Sequence, residues 1–483
     1  MSDSLSTTQR ATIWAGADAL FRQGSQFVFG IVLARTLQPQ AFGLLAVMML
    51  FVAFANVLVD SGLGTALVQR EKIDNVTVST AFWFNLLVAT AAAVAIALLA
   101  PLIASFYREP VLVPLMWAMA ANTWLTGFIT VQRAMLARAM DFRTQTLAAT
   151  FATVIAGGVA IMLALHGLGV WALATQIVLN TTLNALLLWW MHPWRPSLTM
   201  SMQRLREMLS FSGFVLLASL LDAFAARFYT VLIGRMQSTR DLGYFNQAAS
   251  IKDFPQLTLG NLYARLVLPI LSRNAGDQVG LRIRMQQAQV TAMAINIPVM
   301  LGLLVTAHPL VYLVFGAKWL PSVPILRVLC GIGLLWPMHI SNINLMLATG
   351  HPKLALRIEV AKKSLLIAVL VLAGHWGMMA IAWALLASSI IGLVFNTVYS
   401  ARLAGYPLYR QCLDLLPYIT LGTAMAVAVW IVDKRLSGIG IAIRLGLDMA
   451  TGLLIYVGSS HILKLQAYRR VRDLMILALK RSP

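Results

Sequence analysis

Long hydrophobic stretches follow one another along almost the whole chain, and short polar connections separate them. Stretches such as residues 80–105 and 171–190 are almost free of charge, and they approach or exceed the roughly 20 residues that a helix needs to cross a bilayer. Only α-helices and closed β-barrels can satisfy their backbone hydrogen bonds inside lipid. Because these stretches are longer and more continuous than the alternating strands of a barrel, the pattern predicts an all-α polytopic membrane protein.

These stretches predict about 14 transmembrane helices. The predicted spans are 11–34, 43–68, 79–105, 111–133, 144–165, 169–190, 208–234, 242–269, 288–315, 323–348, 356–373, 377–400, 413–432 and 440–461.

An internal repeat divides these helices into two halves. Residues 34–37 and 42–44 have similar counterparts about 200 residues later, at 234–236 and 242–244. Six helices separate the copies, so both enter the membrane from the same side, as in transporters built from parallel repeats. The predicted organisation is an N-terminal six-helix lobe at 1–195, a cytoplasmic linker at 196–206, a C-terminal six-helix lobe at 207–405, helices 13 and 14 at 406–461 and a basic amphipathic cytoplasmic tail at 462–483.

Composition excludes a soluble protein and gives the orientation of the helices. The mean hydropathy is +0.79 and only 11% of the residues are charged, against about a quarter in soluble domains. The net charge of +20 comes from basic residues in alternate connections rather than on one soluble face, so we expect no nucleic-acid partner. This distribution follows the positive-inside rule and predicts that both termini are cytoplasmic. The basic tail is typical of a helix lying on anionic lipid, although a short solvated helix explains it equally well.

Ionisable and polar side chains within the predicted helices are the candidate functional residues, because such groups are costly in lipid and usually face a bundle interior or a watery cavity. They are concentrated in the first two helices of each half. The candidates for binding substrate in a cavity are Arg22, Gln26, Arg227, Asn246, Lys252 and Arg265. The candidates for binding the protons or cations that couple transport are Asp18, Asp60, Asp222 and Asp253.

Simpler interpretations of several groups remain open. Asp18 and Arg22, four residues apart, could neutralise each other on one helix face. Lys252 and Asp253 could form a local pair, and Asp60 could merely be hydrated at a helix end.

Two further patterns in the predicted helices suggest different roles. At least two of the arginines predicted to lie deep in the membrane, Arg22, Arg227 and Arg265, lack an obvious carboxylate partner in the sequence. An anionic ligand would supply the missing negative charge. A polar stripe on predicted helix 6 favours hydrogen bonds between helices over a sugar site. Its members are Gln176, Asn180 and Asn184.

The sequence argues against an enzyme. It has no Walker loop, and its seven histidines are scattered without the spacing of metal ligands. Cys330 and Cys412 lie far apart, so we expect neither a disulfide framework nor a metal site. We therefore expect no cofactor, no metal and no catalytic residue, which leaves transport.

Several short motifs resemble those of the Wzx-type polysaccharide flippases. In the first half they are RQGS at 22–25, VLARTLQP at 32–39, FGL at 42–44, VDSGLG at 59–64, VQR at 68–70, AFWFN at 81–85 and GVWAL at 169–173. In the second half they are LGYFN at 242–246, FGAKW at 315–319 and VPIL at 323–326. The likeness is closest to the colanic-acid exporter and teichuronic-acid branch. The superfamily also contains multidrug antiporters and the lipid II flippase.

The resemblance implies a V-shaped bundle of two lobes in the bacterial inner membrane. Such a protein moves an undecaprenyl-pyrophosphate-linked oligosaccharide repeat unit to the periplasmic leaflet by alternating access, and a polymerase and a chain-length regulator act on the product. A cationic cavity, as expected in these flippases, fits Arg22, Arg227 and Arg265 as contacts for diphosphate or acidic sugars. One alternative is a cation-coupled multidrug antiporter, which favours acidic and aromatic residues in its cavity. Another is a membrane scaffold that transports nothing.

Overall fold

The computed structural model describes residues 24–60, 63–69, 73–272, 277–436, 438–470 and 472. Within these ranges the chain is almost entirely α-helical and contains no β-strand, which confirms the predicted all-α class. The helices form two compact units, Met1–Gly243 and Tyr244–Pro483. The six-helix lobes separated at residues 196–206 stay a prediction.

The first unit contains eight described helices and the start of a ninth. They are α1 (24–36), α2 (Pro39–Asp60), α3 (Leu63–Gln69), α4 (Asn75–Tyr107), α5 (Leu112–Arg138), α6 (Phe142–Leu165), α7 (Val170–Met191), α8 (Met202–Met236) and the beginning of α9 (Thr239–Ser272).

The second unit contains the rest of α9 and seven further α-helices within the described ranges. These are α10 (Gln278–Val305), α11 (Ala307–Phe315), α12 (Ser322–Ala348), α13 (Pro352–Ala373), α14 (Met378–Ala404), α15 (Leu408–Arg435) and α16 (Ile441–Ile462). Two short 3₁₀ helices, Ala317–Trp319 and Gly374–Trp376, precede α12 and α14.

Each predicted span overlaps at least one of these helices wherever the chain is described. Within the described residues, ten helices are long and apolar enough to cross a membrane, and the exact number of spans stays a prediction. Large apolar side chains lie on the outside of the units, among them Leu98 on α4, 76% exposed, and Leu454 on α16, 72% exposed. Apolar surface of this extent is typical of a protein that contacts lipid.

One predicted span is divided in the structure, so the prediction of one continuous helix was wrong there. The span 288–315 consists of α10 and α11, which meet at Thr306. Pro309 has no N–H to bond to the carbonyl of Val305, so the helical hydrogen-bond ladder is interrupted there. The backbone N–H and the hydroxyl of Thr306 both donate to the carbonyl of Gly302, at 2.9 and 2.8 Å. In the span 43–68, α2 and the short α3 lie on either side of residues 61–62, which are outside the described residues, so its continuity stays a prediction.

Aspartate residues begin two helices of the first unit. The Asp74 carboxylate accepts hydrogen bonds from the backbone N–H of Thr77, at 3.0 Å, and from its hydroxyl. Asp141 makes the same pair of bonds with Thr144, at 3.0 and 2.6 Å. An acidic N-cap satisfies backbone donors that otherwise lack a partner, so these residues set where α4 and α6 begin.

The predicted linker packs against the start of α4. The indole N–H of Trp83 donates to the carbonyl of Ser197 at 2.8 Å, and the backbone N–H of Ser201 donates to the hydroxyl of Thr80 at 3.0 Å. Phe82 contacts the rings of four tryptophan and phenylalanine residues from the same region, namely Trp83, Phe128, Trp189 and Trp194. The connection between α7 and α8 is therefore held to the body of the first unit.

The two copies of the sequence repeat meet within the first unit. The first turns of α2 and α9 approach each other so closely at Gly43 and Gly243 that backbone contacts backbone. Glu109, which follows α4, accepts hydrogen bonds from Gln40 at 3.1 Å and from the hydroxyl of Thr239 at 2.6 Å. One carboxylate thus joins the starts of both helices.

A buried amide network joins four helices of the second unit. Gln411 on α15 is fully buried. It accepts a hydrogen bond from Gln289 on α10 at 3.1 Å and donates to Asn342 on α12 at 3.3 Å and to Ser400 on α14 at 3.2 Å. The start of the predicted tail is anchored nearby on the same helix, because the backbone N–H of the buried Ala467 donates to the hydroxyl of Tyr418 at 3.2 Å.

Candidate functional site

For three of the predicted site residues, the side chain lies outside the described part of the structure. Asp18 and Arg22 lie outside the described residues, and for Arg265 on α9 the structure describes the backbone alone. Gln26 lies on α1 with an exposed side chain. The proposed contacts of Arg22 and Arg265 therefore stay predictions.

The candidates on α8 occupy different surroundings. Asp222 is exposed, whereas Arg227 is half-buried, and their five-residue spacing sends them to different sides of the helix. Within the described ranges, Arg227 makes no hydrogen bond, ion pair or ring contact. The rings of Phe224 and Phe228, on either side of Arg227 in sequence, contact each other in a tilted arrangement with their centroids 5.2 Å apart. Arg227 is thus a half-buried guanidinium available to an anion.

The candidates on α9 include an ion pair. The Lys252 ammonium lies 2.7 Å from the Asp253 carboxylate, and the two side chains are 15% and 48% exposed. The alternative interpretation of these two residues as a local pair is confirmed. Asn246 is half-buried on the same helix. An anion that binds Lys252 must therefore compete with a neighbouring carboxylate.

Asp60 is the last residue of α2, and its side chain is exposed. A Cβ atom added to Gly64 would lie 3.1 Å from one of its carboxylate oxygens, so the start of α3 passes close to it.

The polar stripe on α7 makes contacts between helices. Asn180 donates to the hydroxyl of Thr153 on α6 at 3.1 Å, and Arg133 on α5 donates to the side-chain oxygen of Asn184 at 3.3 Å. The expected interhelical hydrogen bonds are thereby confirmed for Asn180 and Asn184, and Arg133 has an uncharged partner inside the first unit.

Sequence reasoning missed a polar cluster in the second unit. On α13, the ammonium of Lys362 lies 2.5 Å from the carboxylate of Glu359 and 3.4 Å from the side-chain oxygen of Asn396 on α14. Asn396 lies 3.2 Å from a ring nitrogen of His339 on α12, and the other ring nitrogen lies 3.1 Å from the hydroxyl of Ser389. The three- and four-residue spacing of Glu359, Lys362 and Lys363 was the signal that could have revealed this cluster.

A cavity of about 430 Å³ lies in the first unit, where α4, α5 and the segment after α7 come together. Arg138, Arg195 and Trp194 line it together with Asp74 and Asn75. The arginines are already engaged, because Arg138 donates to the carbonyl of Leu67 at 3.1 Å and Arg195 donates to the carbonyls of Trp189, His192 and Trp194. None of the ten predicted candidates lines this cavity.

Burial, followed by the neighbouring Arg195 guanidinium, lowers the pKa of His192 beside this cavity. His192 is therefore neutral at physiological pH.

Comparison with known proteins identifies relatives of this chain. Residues 32–324 match the family model described as polysaccharide biosynthesis protein. Lipopolysaccharide biosynthesis protein WzxC of Escherichia coli K12 is 27% identical over 398 residues, which cover 80% of this chain and 78% of WzxC. Teichuronic acid biosynthesis protein TuaB of Bacillus subtilis 168 is 27% identical over 304 residues, or 62% of this chain and 63% of TuaB.

A solved structure shares the fold. The lipid II flippase MurJ, in its inward closed conformation, superposes with a TM-score of 0.73 at 14% sequence identity, covering 97% of this chain and 99% of MurJ. At this identity the likeness shows the fold alone. Together these similarities confirm the resemblance predicted from the sequence motifs.

Proposed function

Because the chain belongs to the polysaccharide biosynthesis protein family, we propose that it moves an undecaprenyl-pyrophosphate-linked oligosaccharide repeat unit across the bacterial inner membrane. The observation that carries this proposal is the family match across residues 32–324. It is supported by the similarity to WzxC and TuaB and by a fold like that of a lipid-linked sugar flippase. The chain is a multi-pass membrane protein, and the proposed activity is transport rather than catalysis.

Arg227 is the described candidate best suited to contact the cargo. It is half-buried on a membrane helix, and within the described ranges no carboxylate neutralises it. A guanidinium donates two parallel hydrogen bonds to a diphosphate, which a lysine ammonium cannot do in the same geometry. Lys252 is less available, because its ammonium already contacts Asp253.

The rest of the transport cycle is proposed from the sequence. The sugars and diphosphate enter a cationic cavity while the polyprenyl tail stays in lipid, and alternating access changes the leaflet that the cavity faces. Both termini lie in the cytoplasm, where the basic tail contacts anionic lipid. Asp18, Asp60 and Asp222 are the remaining candidates for coupling to protons or cations. Asp253 is a weaker one because of its ion pair with Lys252. A polymerase and a chain-length regulator use the delivered repeat units.

Complementation of a strain that lacks this protein tests the proposal. The deletion is expected to stop polymer export and to accumulate lipid-linked repeat units, and the wild-type gene is expected to restore export. Arg227→Ala is expected to restore at most about a tenth of it, because loss of a charged hydrogen-bonding group costs about 1.5–3 kcal/mol. Arg357→Ala, on an exposed part of α13, is the matched control and is expected to export normally.

Three outcomes would contradict parts of this proposal. Normal export by a well-expressed Arg227→Ala variant would remove Arg227 from the binding site. Absence of accumulated lipid-linked repeat units in the deletion strain would contradict the flippase activity. Restored drug resistance in a drug-sensitive host, without any effect on polymer, would favour the multidrug antiporter instead.

A further inference from the structure

The two C-terminal helices, α15 and α16, pack against each other as an antiparallel hairpin. Met425 and Val429 on α15 meet Gly452 on α16, where an added Cβ atom would lie 3.4 Å from Val429 and 3.7 Å from the sulfur of Met425. Tyr456, one turn further along α16, belongs to the same apolar seam. Continuing this register by one turn beyond Val429 and one turn before Gly452 brings Asp433 opposite Asp448.

Asp448 is buried in this seam. Its side chain is 1% exposed, and it follows Leu445 and precedes Gly452 along the buried stripe of α16. It lies seven residues after the start of the helix at Ile441, or about 10 Å along the axis. Neither of its carboxylate oxygens has a hydrogen-bond partner among the described residues.

The neighbouring Arg444 makes no hydrogen bond to Asp448, because it donates to another carboxylate. The Nε atom of Arg444 donates to Oδ1 of Asp433, and the two side chains are only 19% and 14% exposed. Asp433 and Arg444 are the charged neighbours of Asp448. The cluster therefore holds two carboxyl groups and one guanidinium.

Other titratable groups around α16 add no further charge partner to these two carboxyl groups and one guanidinium. On α15, Lys434 lies over the ring of Trp430, 4.1 Å from its centroid, and Arg435 is exposed. On α11, which also packs against α16, His308 and Tyr312 are exposed. On α10, the third helix in contact, Arg282 and Arg284 lie near the far end, in the first two turns. None of these groups bonds to the Asp448 carboxylate.

This arrangement is unfavourable if both aspartates are ionised. A buried ionised carboxylate without a donor is strongly unfavourable, and it can only accept hydrogen bonds. Two adjacent carboxylates therefore repel each other until one of them takes up a proton. The protonated group then becomes a donor to the other.

We propose that Asp433 and Asp448 form a proton-binding carboxyl pair on the α15–α16 hairpin. Asp448 carries the proton, and its O–H group donates a hydrogen bond to the carboxylate of Asp433. The Arg444 guanidinium donates to the Asp433 carboxylate and thereby fixes Asp433 as the acceptor of the pair. The two carboxylate oxygens of Asp448, buried without a hydrogen-bond partner, are the observation that points to a bound ligand. The positive charge of the neighbouring Arg444 favours a proton over a metal cation as that ligand. This site lies outside the residues that match the family model.

Infrared spectroscopy of the full-length protein in lipid vesicles tests the protonation directly. At mildly acidic pH the wild type is expected to show the carbonyl band of a neutral carboxylic acid, which shifts in heavy water. Asp448→Asn is expected to remove this band, and Asp433→Asn to move it without abolishing it. Asp277→Asn, which replaces an exposed N-cap aspartate on α10, is the control and should leave the band unchanged. Persistence of the whole band in Asp448→Asn, or its absence from the wild type, would overturn the proposal.

Thermal melting against pH provides a second measurement that does not depend on transport. The folded state holds a proton that the unfolded chain releases, so the wild type should lose stability as the pH rises above about 4, where an aspartate in the unfolded chain gives up its proton. Asp448→Asn mimics the protonated side chain, so it should melt like the wild type at low pH and remain stable at higher pH. Stabilisation of the wild type by sodium ions at constant pH, together with absence of the acid band, would show that a metal cation occupies the site and would refute the proton.

Discussion

Gly43 and Gly243 contact each other's helix in a reciprocal manner. A Cβ atom on Gly43 would lie 1.6 Å from the carbonyl oxygen of Thr239, and one on Gly243 would lie 1.9 Å from the carbonyl oxygen of Pro39. Each of these carbonyls belongs to the residue four positions before the other glycine. The first turns of α2 and α9 are therefore related by a local two-fold axis, and this contact explains why both copies of the sequence repeat carry glycine here.

Substitution of either glycine should destabilise the first unit. Gly43→Ala and Gly243→Ala place a methyl group onto a backbone carbonyl, which cannot rotate away, so we expect a loss of at least about 1–3 kcal/mol in unfolding free energy. Thermal melting and size-exclusion profiles in detergent measure the effect. Gly302→Ala is the control, because it lies in α10 with open space around it and should be neutral or slightly stabilising. Wild-type behaviour of both variants would show that the helices do not approach so closely.

Loss of the Glu109 carboxylate should weaken the same junction. Glu109→Ala leaves Gln40 and the hydroxyl of Thr239 without their shared acceptor, and we expect destabilisation of about 1–2 kcal/mol. A double-mutant cycle with Thr239→Val isolates the direct bond, because Thr239→Val should add little once Glu109 is gone. Strict additivity of the two substitutions would argue that these side chains do not interact.

The N-cap of α4 should make stability depend on pH in the acidic range. Hydrogen bonds from the side chain and backbone of Thr77 lower the pKa of Asp74, and Arg204 at 3.6 Å acts in the same direction. A lowered folded-state pKa contributes stability above the unfolded value of about 4, and this stability is lost as the pH falls through the folded value.

Asp74→Asn keeps a capping oxygen and removes the charge. It should lower the melting temperature at neutral pH, and its difference from the wild type should disappear in strong acid. Adding Arg204→Gln to this variant should have little further effect. An unchanged difference at every pH would contradict a role for the charge.

The Glu359–Lys362 pair should hold α13 to its neighbours. Glu359→Gln removes the carboxylate that both Lys362 and Lys363 contact, and each of these lysine side chains is only 16% exposed. We expect a cost of about 1–3 kcal/mol, because half-buried ammonium groups lose their charged acceptor. Melting in detergent measures it, with the exposed Lys353→Gln on the same helix as the control. Equal melting temperatures for the two variants would show that the pair is solvated and contributes little.

The sequence predicted the helices well because the bilayer imposes one strong requirement. Each stretch must be apolar and long enough to satisfy its backbone within lipid, so helix positions could be read from hydropathy alone. Prediction failed where a local backbone effect divided a continuous apolar stretch, as at Pro309. That break reflects a missing hydrogen-bond donor, which hydropathy does not record.

The sequence by itself determined which charged side chains lie within apolar helices, whereas the tertiary structure decided which of those side chains have partners. Lys252 turned out to be paired with its neighbour, Arg227 has no described partner, and Asp433, Arg444 and Asp448 come together only because two helices pack in one register. A charge in a membrane helix is visible from sequence, but its energy depends on distances of a few ångströms to groups on other helices. Those distances are set by side-chain packing between helices, which a linear pattern does not contain.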